Sequence, residues 1–506
     1  MDVAAARKRG LTQGFTWSQY DAAAFEKAKK ERRFILLDGA AEWCHWCHVM
    51  DATTYRDPDV GKILDEKFVA IRIDVDARPD LEERYAAWGW PATILLSPDA
   101  EEIGKFRGYL PPDRLLAALE AVTKSDAGPT TLAKDLDDAP ATIEALPWVA
   151  SQTLFDLDGW WDDVEGGWGK RQKAPIGANV EIEVARATHG DPAAKARVIL
   201  TLTKEHAIVD PVWGGVYQYS AASDWGSPHY EKLMTVQAAA IEAYARAYVL
   251  TKDASFLDDG KGVVRYVTTL LSAPDGGFYT NQDADVGAHD EKAAFVEGRV
   301  FYAADDAGRR ALGMPWIDTH VYGRETGIAV AALCTMFEAT HDDAVLARAK
   351  KAGDALLASH LTPEGEVWHD AQKKEGPRFL ADAAAVARAF ARLAEVTGEA
   401  KYLDAAKKVA DAMTKSFTDP ATGAMFDATT DSDAAGVFAR RTHPFVHEVV
   451  AARAFAALAR VTKDAAWRER GKRLLAAIST PKAIDAQGRW LGEFLLALDE
   501  VGAIGW

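Results

Sequence analysis

From residue 18 to residue 124, short apolar runs alternate with amphipathic stretches. Apolar positions spaced three to four apart predict helices over 21–32, 44–51, 60–67, 81–87 and 113–123. The apolar or alternating runs between them predict strands over 34–38, 68–74, 92–96 and 105–109. Residues 125–147 are rich in Asp, Ala, Pro and Thr, the composition of a linker. Beyond it, long Ala/Leu/Val/Arg helices come in pairs: 180–189 with 192–206, 231–251 with 254–271, 321–341 with 343–360, 381–397 with 400–417, and 447–462 with 465–478. Gly-aromatic stretches punctuate them, clearest at Gly166-Gly167-Trp168, Gly214-Gly215-Val216-Tyr217 and Gly276-Gly277-Phe278-Tyr279. A hairpin of helices ending in a Gly-aromatic loop, repeated about six times, predicts an all-α (α/α)6 toroid.

The first region gains its meaning from Cys44-His45-Trp46-Cys47-His48. A Cys-x-x-Cys that leaves a strand and opens a helix has the geometry of a thioredoxin-type site, because a helix N-terminus stabilises a thiolate. Trp90-Pro91 stands just before the third strand, where that fold places a cis-proline loop facing the cysteines. The expected fold class is thus an α/β thioredoxin-like domain (1–124), a linker (125–147) and an all-α (α/α)6 toroid (148–506).

Composition narrows the function. A net charge of -17, with no basic stripe carrying interleaved aromatics, argues against nucleic acid and anionic membranes as partners. No stretch approaches the roughly 18 apolar residues of a membrane span, and a secretory signal is not visible after the basic cluster Arg7-Lys8-Arg9. Three cysteines with one close pair speak for a reducing compartment, so a cytoplasmic protein is expected.

Motifs in both regions resemble the spermatogenesis-associated protein 20 family. They are Trp43-Cys44-His45-Trp46-Cys47-His48-Val49-Met50, Arg78-Pro79-Asp80, Gly89-Trp90-Pro91 and Ser97-Pro98-Asp99. In the helical region they are Pro228-His229-Tyr230-Glu231-Lys232-Leu233-Met234 with Gln237, Gly276-Gly277-Phe278-Tyr279, Gln282-Asp283-Ala284-Asp285, and Glu297-Gly298 with Phe301-Tyr302. The resemblance implies a thioredoxin-like domain followed by a toroid similar to N-acylglucosamine 2-epimerase and six-hairpin glycosidases. The chain departs from the pattern after the third strand, where Glu102-Ile103-Gly104-Lys105-Phe106-Arg107-Gly108 replaces Gly-Gly-Thr-Tyr-Phe-Pro.

Three readings of the cysteines compete. In the first, Cys44, exposed at the helix start, attacks as thiolate and Cys47 resolves the mixed disulfide, with His45 and His48 favouring the thiolate and Pro91 shaping the substrate loop. Trp43, Trp46 and Trp90 would form an apolar collar. In the second, Cys44, Cys47 and His48 bind zinc or copper, although no further Cys/His cluster completes a tetrahedron. In the third, the thiols are idle.

In the toroid, Trp225, His229, Glu231, Asp283, Asp285 and Glu297 fall on inter-hairpin loops, which converge on one mouth. They suit binding of a sugar-like polyol, acid–base work on it, or the capping of helix ends. The leading expectation is a thiol–disulfide oxidoreductase acting on a protein or small-molecule thiol, with no metal and no cofactor. The alternatives are a carbohydrate-active epimerase, isomerase or hydrolase with an accessory redox domain, and a non-catalytic scaffold.

Overall fold

The computed structural model describes residues 12–124, 138–290 and 292–506. Most of the expected linker, 125–137, lies outside them. Residues 138–147 are not free chain: the Ala141 N–H donates to Ser479 O (3.0 Å), and a 3-10 turn, Ile143–Ala145, leads into a helix, Leu146–Gly159.

The N-terminal unit is a four-stranded sheet of β1 (Phe34–Ala40), β2 (Phe68–Asp74), β3 (Ala92–Leu96) and β4 (Glu102–Arg107), in the order β2-β1-β3-β4. β1 and β2 are parallel; β1–β3 and β3–β4 are antiparallel. β4 starts three residues before the predicted run, and its pairing with β3 carries a one-residue register irregularity at Leu95/Leu96. The central strands read as nearly continuous Ile, Leu and Ala because helices cover both faces. Ile35, Leu37, Ile71 and Ile94 face one core, and Leu36, Phe68 and Leu95 the other.

The rest is a closed ring of helical hairpins. The inner helices are Gly177–Thr188, Met234–Thr251, Gly323–Thr340, Leu380–Thr397, Phe445–Thr462 and Gly492–Glu500. Each packs on the next, and the last returns to the first. Their Ala-rich faces explain the close approach: the helix Leu380–Thr397 buries Ala383, Ala384, Ala387 and Ala391. The sixth hairpin joins the two ends of the toroid, Gly492–Glu500 against Leu146–Gly159, and escapes a pairing rule based on sequence neighbours. The second inner helix starts at Met234 rather than 231 because Lys232–Leu233 forms a short strand with Asn281–Gln282.

The Gly-aromatic loops are the turns of this ring. Gly214 has φ +80°, and a Cβ there would lie 2.1 Å from Gly262 O, so only glycine fits. Buried cations fasten the loops. Lys173 Nζ donates to Asp162 and to the Gly166 and Gly169 carbonyls, and Lys232 Nζ donates to Asp210 and Gly214 O. No described helix is long and apolar enough to cross a membrane.

Candidate functional site at the junction of the two units

Cys44 is the N-cap of the helix His45–Ala52, and its Sγ accepts the Cys47 N–H at 3.1 Å. The two sulfurs are joined as a disulfide with Cα atoms 5.2 Å apart. The Trp90–Pro91 bond is cis. Contrary to the sequence expectation, Cys44 is not exposed: it is 3% accessible and Cys47 is 4% accessible. Trp43, Val75 and Trp90 cover the disulfide, and Leu233 of the toroid joins them in the same cluster. Of the expected collar, Trp43 and Trp90 pack there. Trp46 instead lies beside Tyr109 (ring centroids 5.8 Å) and is 37% exposed.

The toroid meets the cysteine helix with charge. His45 Nδ1 is 2.6 Å from Asp285 Oδ2, and His48 Nε2 is 3.0 Å from Asp283 Oδ2. Burial alone would lower the pKa of either imidazole, but the facing carboxylates outweigh it; His45 is raised and His48 is pushed up to about 9. Asp283, although buried, is held below the usual carboxylate range by His48 and His289. Asp285 also accepts the Gly298 N–H at 2.7 Å. Deeper in the junction, Asp76 Oδ2 accepts from Trp43 Nε1 and from Asn281 Nδ2, each at 2.8 Å, so one carboxylate ties the collar to the toroid.

Two cavities open beside this contact. One, of about 240 Å³, is lined by His45, His229, Glu231, Asp285, Phe295 and Glu297. In it His229 stacks on Tyr219 (4.2 Å), and burial together with the neighbouring His45 pushes its pKa down to about 4. Burial raises Glu231 to about 7, and its Oε2, 3.9 Å from His229 Nδ1, has no hydrogen-bond partner among the described residues. Glu297 is half-exposed and bonded to Arg299 at 2.7 Å. The second cavity, about 350 Å³, is lined by Cys47, His48, His289, Glu42, Asp51 and Arg72, among others.

Five of the six expected toroid residues therefore gather at the junction. Trp225 does not: it is fully buried, and its Nε1 donates to Glu165 O at 3.0 Å. It packs against the loop at Gly167, a position the sequence cannot distinguish from an exposed aromatic platform. Sequence reading also passed over Asp76, Asn281 and His289, each of which has at least one contact in the other unit.

Comparison with known proteins agrees with this layout. The family described as a protein of unknown function, DUF255 (Thioredox_DsbH), matches residues 8–124, and glycosyl hydrolase family 76 matches residues 381–488. Curated relatives of this chain include proteins named spermatogenesis-associated protein 20. The human one is 28% identical over 307 residues, and the mouse one 27% over 310. These matches take in 53% of this chain but only 39% and 38% of those proteins, so the chain matches about two fifths of their length. Over 79 residues, 15% of the chain and 13% of the relative, it is 35% identical to thiol:disulfide interchange protein DsbD 2 of Pseudomonas aeruginosa.

Among solved structures, D-mannose isomerase aligns with TM-score 0.51 and 14% identity, over 73% of this chain and 99% of its own. Cellobiose 2-epimerase from Bacillus thermoamylovorans aligns with TM-score 0.50 and 13% identity, over 65% and 85%. At these identities the likeness is one of fold. The chain is a thioredoxin-like α/β unit joined to an (α/α) toroid, as the motif resemblance implied.

Proposed function

We propose that the chain is a thiol–disulfide oxidoreductase whose substrate enters at the junction with the toroid. The observation that carries this reading is the Cys44–Cys47 disulfide at a helix N-terminus, whose Cys47 lines a 350 Å³ cavity completed by the toroid's His289. The Cys47 N–H bonded to Cys44 Sγ favours negative charge on that sulfur, which makes Cys44 the nucleophile. With both cysteines reduced, Cys44 thiolate attacks a substrate disulfide, forming a mixed disulfide and expelling one substrate thiolate. Cys47, after losing its proton, attacks Cys44 Sγ, closing the Cys44–Cys47 disulfide and releasing the second substrate thiolate. Two electrons pass from the dithiol to the substrate, and the direction reverses when the substrate is the stronger reductant. A cavity of this size suits a small disulfide or a single extended segment.

The test is titration of the full chain in mixtures of reduced and oxidised glutathione, with alkylation and mass measurement. A two-electron couple at Cys44 and Cys47 is expected, with Cys47→Ser trapping a glutathione adduct and Cys44→Ser trapping none. Absence of the couple sinks the proposal.

One observation favours a second reading, a carbohydrate-active toroid: the neutral His229 beside Glu231 in the 240 Å³ cavity forms an acid–base pair, and the fold neighbours include proteins named D-mannose isomerase and cellobiose 2-epimerase. Against it, His45 of the thioredoxin-like unit occupies part of that cavity's wall and leaves little room for a disaccharide. Sugar isomerisation that survives Cys44→Ser/Cys47→Ser and disappears in His229→Ala would select it.

A further inference from the structure

The junction contains a donor set whose capacity for a metal ion enters neither the redox reading nor the sugar reading. His48 Nε2 and His289 Nε2 lie 3.0 and 3.1 Å from the same oxygen, Asp283 Oδ2. One ligand atom from each of the three residues falls within 4.8 Å of the other two. The imidazole rings stand nearly perpendicular, with centroids 4.8 Å apart. Two imidazole nitrogens and one carboxylate oxygen form the donor set of zinc and neighbouring transition metals; calcium and magnesium prefer oxygen throughout.

Each member is held by something else. Asp283 is fully buried, and its second oxygen accepts the Asp285 N–H at 3.1 Å. His289 stacks on Trp316 with centroids 5.0 Å apart. His48 projects from the cysteine helix, and its Nε2 also lies 2.9 Å from Glu42 O. Orienting contacts of this kind fix the ligands of metal sites before the metal arrives. His48 and His289 also line the 350 Å³ cavity that Cys47 borders, so a cation between them would keep positions open to whatever enters.

We propose that His48, Asp283 and His289 bind a divalent transition-metal ion, zinc foremost, across the junction of the two units. One ligand comes from the thioredoxin-like unit and two from the toroid, so binding fastens them together. The site is built without cysteine sulfur, and it stands or falls independently of the disulfide chemistry.

The full chain, treated with chelator, dialysed and kept free of reductant so that the disulfide persists, is titrated with Zn²⁺ by calorimetry and with Co²⁺ by visible absorption. Saturable binding at one ion per chain is expected, with Co²⁺ giving the d–d bands of nitrogen and oxygen ligation. His289→Ala, on a toroid loop, should weaken binding at least tenfold, and His48→Ala likewise, while Cys44→Ser/Cys47→Ser retains it. Circular dichroism of each variant establishes that it is folded. Failure of both ions to bind overturns the proposal. So does binding unchanged in both histidine variants, or binding lost in the cysteine variant, which would move the ion to the thiols.

Discussion

His229 shows how the junction sets the charge of a single side chain. An imidazole in water titrates near 6.5, whereas burial against Tyr219, with His45 close by, brings His229 down to about 4. The sign follows from proton counting. Between pH 4 and 6.5 the unfolded chain binds more protons at this residue than the folded chain does, so its contribution to stability is complete above 6.5 and is lost as pH falls toward 4. The expected outcome is a His229 ring that stays neutral at pH 5.5, read from its carbon and nitrogen chemical shifts in the full chain. A ring already mostly protonated at that pH would remove the acid–base pair on which the carbohydrate reading rests. Glu231, moved the opposite way by the same burial, shows that the mouth keeps both groups uncharged over a shared range.

At the scale of the element, the toroid's loops depend on buried cations more than on their glycines alone. Lys173 is fully buried, and its Nζ lies 2.7 Å from Asp162 Oδ2, 2.7 Å from Gly166 O and 2.9 Å from Gly169 O. Lys173→Met keeps the bulk and removes every donor, leaving Asp162 Oδ2 and two carbonyls without the ammonium, while Asp162 Oδ1 keeps the Val164 and Glu165 N–H groups. A loss of about 3–5 kcal/mol is expected in urea unfolding followed by tryptophan fluorescence. A loss below about 1 kcal/mol, the range of a surface pair, would show that the lysine is not the fastener. Such fasteners explain what the sequence could and could not disclose. Helix pairs that follow one another announce themselves through periodicity, and the Cys-x-x-Cys and Asp283-Ala284-Asp285 through their spacing. The closing hairpin does not, because its two helices begin at Leu146 and Gly492, at opposite ends of the toroid's sequence. Nor does His289, whose ring neighbour His48 belongs to the other unit, nor the burial of Cys44 and Trp225, which only the assembled packing produces.

For the whole molecule, the main question is how a reagent reaches a disulfide buried at the junction of two units. The units share core as well as polar contacts. Phe438, from the toroid's 3-10 turn Gly436–Ala439, inserts beside Tyr20 and Phe25, with ring centroids 5.6 and 5.8 Å away, and is 7% exposed. Arg84 donates to Val437 O at 2.8 Å, Arg324 bonds Glu82, and His369 bonds Asp76 O at 2.9 Å. Cys47 borders the 350 Å³ cavity, so a small reagent is expected to reach it there and a large one only when the units part. Phe438→Ala removes the aromatic anchor at a cost of about 3–5 kcal/mol, part of which falls on the equilibrium between closed and parted forms. After reduction, the wild-type chain should react readily with iodoacetamide and slowly with a polymer-linked maleimide. In Phe438→Ala the polymer reaction should accelerate at least tenfold, the factor that about 1.4 kcal/mol commands, with the small-reagent rate changed far less. Cys334, buried in the toroid core, serves as the internal control and should stay unlabelled in both. Equal rates for the two reagents in the wild-type chain would mean that the junction does not screen the cysteines, and that a folded protein could approach them without any opening of the ring from its partner unit.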